Sequence, residues 1–297
     1  MRWTPGEESP DIEDRRDEGG GGGDGGGGGF SFGPRHLGIG GFILVAVLSL
    51  LFRRNFFALL GGGTDTRQPV PVPGPAPRPA GGAAADDRMV KLVSFVLDDV
   101  QNTWTQALAN TDHPYRHAKL VLFTDETRSG CGEAETATGP FYCPADQKVY
   151  IDLGFYRELQ DRFGAPGEFA EAYVLAHEIG HHVQYLLGID NQVRRLQASR
   201  PAQANALSVR LELQADCLAG VWGHSTAQRN LLEQGDVESG LRAAAAVGDD
   251  RLQRMASGTV HPESWTHGSS AQRVSWFKIG FESGDINRCN TFAAGSR

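Results

Sequence analysis

Two histidines four residues apart bracket a glutamate in the run His177-Glu178-Ile179-Gly180-His181. On a helix, residues i and i+4 lie on one face, one turn apart, so two imidazole nitrogens can converge on a single Zn2+ ion. Glu178 stands on the same wall, placed to take a proton from metal-activated water without being a ligand, which is the arrangement of metal-assisted hydrolysis. Gly180 has no side chain and lets another segment approach the metal closely. The five-residue pattern alone arises by chance in on the order of one chain in a hundred of this size. A catalytic zinc needs a third protein ligand and an open fourth position. Glu212 opens Glu212-Leu213-Gln214-Ala215-Asp216, a second i, i+4 pair on one helical face. Glu212 completes a site for one Zn2+, and Asp216 accepts the second ring N–H of a ligating histidine, His177, fixing its tautomer. The plainer alternative leaves Glu212 and Asp216 as solvated charges beside Arg210 and Gln214.

These residues need helices to carry them. The pattern from Pro166 through Leu187 is helical and stops at Gly188, a usual C-terminal cap residue. Ala204 to Trp222 and Ala271 to Lys278 read as helices. Met89, Val90, Leu92, Val93, Val96, Leu97, Val100 and Trp104 recur at the spacing of an amphipathic one. Lys119–Phe123 and Lys148–Ile151 read as short strands, the latter expected at a sheet edge beside the metal cleft, where an extended peptide would pair. The fold class is α+β, mostly helical, with a small sheet, over residues 88–297.

The first third of the chain is different. Residues 1–36 hold eight acids against four arginines, half of the formal net charge of -8, with glycine from 19 to 29 interrupted only by Asp24. Disorder is the physical expectation for such a tail. Leu37 to Phe52 is an uncharged apolar run, closed by Arg53 and Arg54 and followed by the mostly apolar Asn55 to Leu60. Its late start and its bulky followers Phe56 and Phe57 speak against a signal peptide. Glycine-rich and proline-rich neighbours speak against a core helix, so 37–60 is expected to be a transmembrane anchor. The Pro/Gly/Ala-rich stretch 61–87 is a linker.

An acidic chain with no clustered basic face offers nothing to nucleic acid. None of Cys131, Cys143, Cys217 and Cys289 forms a C-x-x-C pair, which disfavours an all-cysteine zinc site. The even count fits disulfides, with Cys131 and Cys143 as the local pair across a turn and Cys217 left with Cys289. Four buried free thiols are the other reading. Disulfides imply a domain outside the cytoplasm and hence a single-pass protein with an extracytoplasmic catalytic part.

Taken together, the tail, LGIGGF at the start of the apolar run, SGCGEAETATGPFYCPADQKVYIDLGF from Ser129 to Phe155, AHEIGHHVQ from Ala176 to Gln184, LELQADCLAGVW from Leu211 to Trp222 and THGSSAQRVSWF from Thr266 to Phe277 resemble the neutral zinc metallopeptidases of bacteria. The resemblance implies a zincin-like domain, one zinc, a polypeptide substrate and a single N-terminal anchor, and names no substrate. The Glu-x-x-Ala-Asp pattern is also similar to that of membrane-anchored CAAX-type zinc endopeptidases, whose downstream Thr-His-Pro has Gly268 in place of the proline here. That parallel makes His267 the candidate oxyanion stabiliser, with a helix-capping or core histidine as the alternative. Arg273 would assist by charge or brace the loop. His182 points away from the metal side, and His113, His117, His224 and His261 have no partner at ligand spacing. The competing function is a non-catalytic envelope protein in which zinc only staples the domain or serves a partner, and the proline-rich stretch is compatible with partner recruitment in either case.

Overall fold

The structure, a computed structural model, describes residues 1–18, 80–135 and 139–293. In chain order the regular elements are β1 (Ile12–Asp14), α1 (Ala80–Ala107), β2 (Lys119–Phe123), β3 (Glu126–Ser129), β4 (Gly132–Glu135), β5 (Phe141–Cys143), β6 (Lys148–Asp152) and α2 (Leu153–Asp161). They continue with α3 (Glu168–Leu186), α4 (Ile189–Ser199), α5 (Ala204–Gln228), α6 (Asp236–Ala246), α7 (Asp249–Ser257) and α8 (Ser270–Ser283). The α+β class, mainly helical with a small sheet, is the one expected.

The main sheet has the order β1-β2-β6-β5, with β1, β2 and β6 parallel and β5 antiparallel to β6. Strands β3 and β4 form a separate hairpin. Leu120, Leu122, Val149 and Ile151 are fully buried from the sheet, and Val96, Leu97, Val100 and Trp104 are buried from α1 in the same core. The helical layer joins it through Phe169 and Tyr173 of α3 and Leu218 and Trp222 of α5, with Phe169 stacked on Trp222 at 5.7 Å. Aromatic area of this kind dominates core energetics and fixes how the two helices face each other.

Three departures from the sequence reading matter. Residues 1–18 are folded, where a disordered tail was expected through residue 36: β1 pairs with β2, and Met1, Ser9 and Asp11 are buried. Summed composition hid this, because the acids of this stretch have specific partners, Glu13 with Lys148 and Asp11 with Lys119. Helix α1 begins at Ala80, inside the stretch assigned to the linker, as its alanines favour. Strand β6 is interior, bonded to β2 and β5, so it has no edge to offer a peptide; β1 and β5 are the terminal strands. The anchor at 37–60 and the linker as far as residue 79 lie outside the described residues. Among those described, no helix is long and apolar enough to cross a membrane.

Candidate metal centre

Helix α3 brings His177, Glu178 and His181 to one buried face, and α5 crosses it so closely that a Cβ on Gly180 would lie 3.1 Å from the Ala215 carbonyl oxygen. That approach, which a larger residue would crowd, sets Glu212 and Asp216 against the two histidines. Helix α8 locks α5 from behind: a Cβ on Gly280 would fall 1.9 Å from the Cys217 carbonyl oxygen, so only glycine allows the crossing. The disulfide Cys217–Cys289 ties the C-terminal segment to α5 beside Asp216, and Cys131–Cys143 joins the β3–β4 hairpin to β5. Both pairs are those expected.

The donor atoms of His177, His181 and Glu212 lie within 4.8 Å of one another. Nε2 of His177 stands 3.2 Å from one carboxylate oxygen of Glu212, and Nε2 of His181 stands 3.4 Å from the other. Donors bound about 2.1 Å from a tetrahedral zinc are separated by about 3.4 Å, so the set fits that ion. The ring orientations are fixed from behind. His177 Nδ1–H donates to Asp216 at 2.9 Å, and His181 Nδ1–H donates to Gln184 Oε1 at 2.8 Å, which turns both Nε2 atoms toward Glu212.

Asp216 is wholly buried and heavily bonded. It also accepts from the Tyr173 hydroxyl at 2.5 Å and from Arg273 Nε at 2.8 Å and Nη2 at 2.9 Å. Burial alone would raise its carboxyl, but Arg273 and His177 outweigh that and hold it below the usual range. Glu212 is likewise held well below: burial opposes ionisation and the imidazoles of His181, His177 and His267 overcome it. Burial disfavours a charged His177, yet Asp216 and Glu212 push its imidazole up to about 10. The pocket therefore attracts positive charge where a divalent cation would sit, and a cation binding there displaces the imidazole proton.

Glu178 is buried, and among the described residues nothing hydrogen-bonds its carboxylate. His267 is half-exposed and close enough to Glu212 for its charge to act on that carboxylate; Asp249 braces it, receiving the backbone N–H of Thr266, His267 and Gly268 as well as the His267 ring. Arg273, read from the sequence as a charge for the cleft or a brace for the loop, is buried and holds Asp216. His182 is built into the wall behind His181: Nε2–H donates to the Arg116 carbonyl at 2.6 Å, Nδ1 accepts from Tyr142 at 2.9 Å, and burial lowers it to about 4. The terminal strand β5 thus touches the metal helix through Tyr142.

Two positions escaped sequence reasoning. Tyr173 lies one turn before His177 and reads as one more apolar residue of α3. Gln184 lies three after His181 and links it to the Leu211 carbonyl and to Gln214, hence to α5. A buried glutamine on an otherwise apolar helical face was the available signal.

Comparison with known proteins agrees with this geometry. Residues 1–292 match the family model described as "Putative neutral zinc metallopeptidase". The chain is 47% identical over 296 residues to the uncharacterized protein YpfJ of Escherichia coli K12, covering 98% of this chain and 99% of that one. It is 42% identical over 242 residues to the uncharacterized protein Rv2575 of Mycobacterium tuberculosis H37Rv, covering 77% of this chain and 80% of that one. No solved structure matches.

Proposed function

This chain belongs to the neutral zinc metallopeptidase family, and from that premise we propose that it hydrolyses internal peptide bonds of polypeptides, with His177, His181 and Glu212 holding one zinc ion and Glu178 as the base. The observation that carries the reading is the convergence of two imidazole nitrogens and one carboxylate, with a buried glutamate beside His177 on the same helix that is not needed as a ligand. A zinc ion at these donors supplies Lewis acidity, polarising the scissile carbonyl and acidifying water.

The chain's own groups do the rest. Glu178 takes the proton of the attacking water and returns it to the leaving amine. Asp216 and Gln184 hold the two imidazoles in the tautomer that leaves Nε2 for the metal. His267, on the open side of Glu212, is the group assigned to the oxyanion, and Asp249 keeps its ring in place. Strand β5, bonded on one side only among the described residues, is where an extended substrate would pair, by analogy with peptide binding at sheet edges. Two disulfides support work in an oxidising compartment outside the cytoplasm, and the apolar run 37–60 supports a membrane location there.

The test is zinc content and casein hydrolysis by the full chain, wild type beside Glu178→Gln and Glu212→Ala. One zinc per chain, weakened in Glu212→Ala, with hydrolysis abolished and zinc retained in Glu178→Gln, is expected. Equal zinc in wild type and Glu178→Gln with no hydrolysis in either would return the site to a structural role.

A further inference from the structure

A second concavity adjoins the metal centre. The flank of α5 that leads up to Glu212, the short turn Pro262–Ser264 with Trp265 after it, and the first two turns of α8 enclose a cleft of about 500 Å3. That size is within the roughly 300–1,000 Å3 that ligand sites occupy. Each of these three walls also carries a group of the site already described: α5 carries Glu212, the loop after Trp265 carries His267, and α8 carries Arg273. The junction between cleft and metal centre is tight. Gly268 has φ +91°, and a Cβ there would lie 3.2 Å from Val209 and 3.3 Å from Leu213, so the pair His267-Gly268 runs against α5 where Leu213 follows Glu212. His267 is correspondingly close enough to Glu212 for its charge to act on that carboxylate. Asn205 and Val209, both lining the cleft, precede Glu212 by seven and three residues. At 1.5 Å per residue the cleft therefore extends about 10 Å along α5 from the candidate metal donors.

The walls are chiefly apolar. Val209 and Leu213 line the cleft from α5, Pro262 and Trp265 from the loop, and Trp276 from α8. The frame is held by hydrogen bonds that leave these surfaces bare. Trp265 Nε1–H donates to Gln253 at 3.3 Å, Asn205 donates to the Glu263 carbonyl at 3.0 Å, and Thr291 donates to the Arg210 carbonyl at 2.7 Å. Arg210 and Glu263 at the rim are both exposed and opposite in charge, so the mouth favours neither sign. Trp276 is only 7% exposed, and its indole N–H has no hydrogen-bond partner among the described residues, which leaves a donor for a carbonyl of whatever enters. Two indole rings supply flat faces for stacking, whereas a small or charged side chain would leave the apolar walls in contact with water.

We propose that this cleft is the specificity pocket of the site, receiving a bulky apolar side chain, aromatic or leucine-like, from the polypeptide beside the bond that is cut. The proposal rests on the peptidase reading for its substrate and adds the side chain that the substrate must carry.

The test has a binding arm and a hydrolysis arm, both on the full chain supplied with zinc. For binding, the protein is labelled with fluorotryptophan, and Trp265→Phe and Trp276→Phe identify the two fluorine resonances. N-acetyl-phenylalaninamide is expected to shift both and N-acetyl-serinamide neither. Ala206→Trp, at an exposed position on the lip of the cleft, is expected to abolish the shifts with zinc content unchanged; should it fail to fold, Ala202→Trp on the same lip replaces it. For hydrolysis, peptides that differ at one residue are compared. Phe or Leu beside the cut bond should give a kcat/KM at least about tenfold above that of Ser, since a single methylene in an apolar pocket already gives roughly 10–200-fold. Ala206→Trp should lower the value for the Phe peptide at least about tenfold more than that for the Ser peptide. Shifts that are equal for the two amides, or absent for both, would overturn the proposal, as would hydrolysis whose side-chain preference Ala206→Trp leaves unaltered. The expected shifts without hydrolysis of any peptide would support the pocket's selectivity and refute the peptidase reading instead.

Discussion

Asp216→Asn is the perturbation with the most structure behind it. The asparagine fills the same space but places an amide where four donor contacts now meet a carboxylate, from Tyr173, His177 and two nitrogens of Arg273. Arg273 is 3% exposed and has no other acid beside it among its hydrogen bonds. Breaking a buried ion pair from one side leaves an uncompensated charge and costs about 3–5 kcal/mol. For a domain of this size each kcal/mol lowers Tm by roughly 2–4 °C, so a fall of roughly 6–20 °C is expected by calorimetry. The same substitution frees the His177 ring, and loss of such a partner weakens metal binding about 10–100-fold, measured by competition with a chromophoric chelator. Arg273→Met should also destabilise, and the double variant should lose less than the sum of the singles by on the order of 1–3 kcal/mol, because the two share one interaction. A Tm within about 2 °C of wild type together with unchanged zinc affinity in Asp216→Asn would refute the account of how this site is held.

Glu171, on α3 two turns before His177, is pushed up to about 7 from an ordinary 4.5 chiefly by burial, against the hydrogen bond from Gln160. The fold thus prefers its protonated form: the contribution is present in full below pH 4.5 and is lost as pH rises through about 7. Glu171→Gln should gain on wild type by up to roughly 3 kcal/mol at pH 8 and hardly at all at pH 4, and a Tm difference that is flat across that range would count against it. Gly180→Ala sets a methyl 3.1 Å from the Ala215 carbonyl oxygen; it should cost about 1–3 kcal/mol and loosen zinc by moving Glu212 off the histidines, checked by urea unfolding and chelator competition. Removing Cys217–Cys289 with paired alanines opens a closure of sequence separation 72, for which chain entropy gives at most about 4 kcal/mol; unfolding midpoints that match the oxidised wild type would exclude a stabilising role.

The candidate ligand set was legible because helical spacing is local. His177, Glu178 and His181 announce themselves within five residues, and Glu212 and Asp216 repeat the same i, i+4 logic on a second helix. Nothing comparable marks Arg273 or Tyr173, whose roles arise only when α8 crosses α5 and α3 meets both. The misassigned edge strand has a similar origin. Lys148–Asp152 has the alternation and β-branched content of a strand, but whether a strand is interior or terminal depends on partners, and the three-residue β5 is too short to be seen by periodicity. The N-terminal tail was misread for a different reason. Charge averaging over 36 residues blended a folded acidic segment with a glycine tract, although Trp3 and Ile12 sat within it as apolar anchors.

Charge explains why the framework behind the metal is built with an arginine. Asp216 and Glu178, both buried, and the partly exposed Glu212 put three carboxylates on the facing stretches of α3 and α5. Left alone they would repel and would resist burial. A divalent ion at the His177–His181–Glu212 donors would supply two positive charges beside the one that Arg273 already brings, with His267 adding its own when protonated. Arg273 is planar and forked, able to hold Asp216 through two nitrogens while leaving a face for His177, where a lysine would offer a single mobile point of charge. The carboxylates are held differently: Asp216 is paired with Arg273 and orients His177, Glu212 stands among the candidate metal donors, and no hydrogen bond among the described residues ties down Glu178. That freedom is what the proposed role of Glu178 as the base requires.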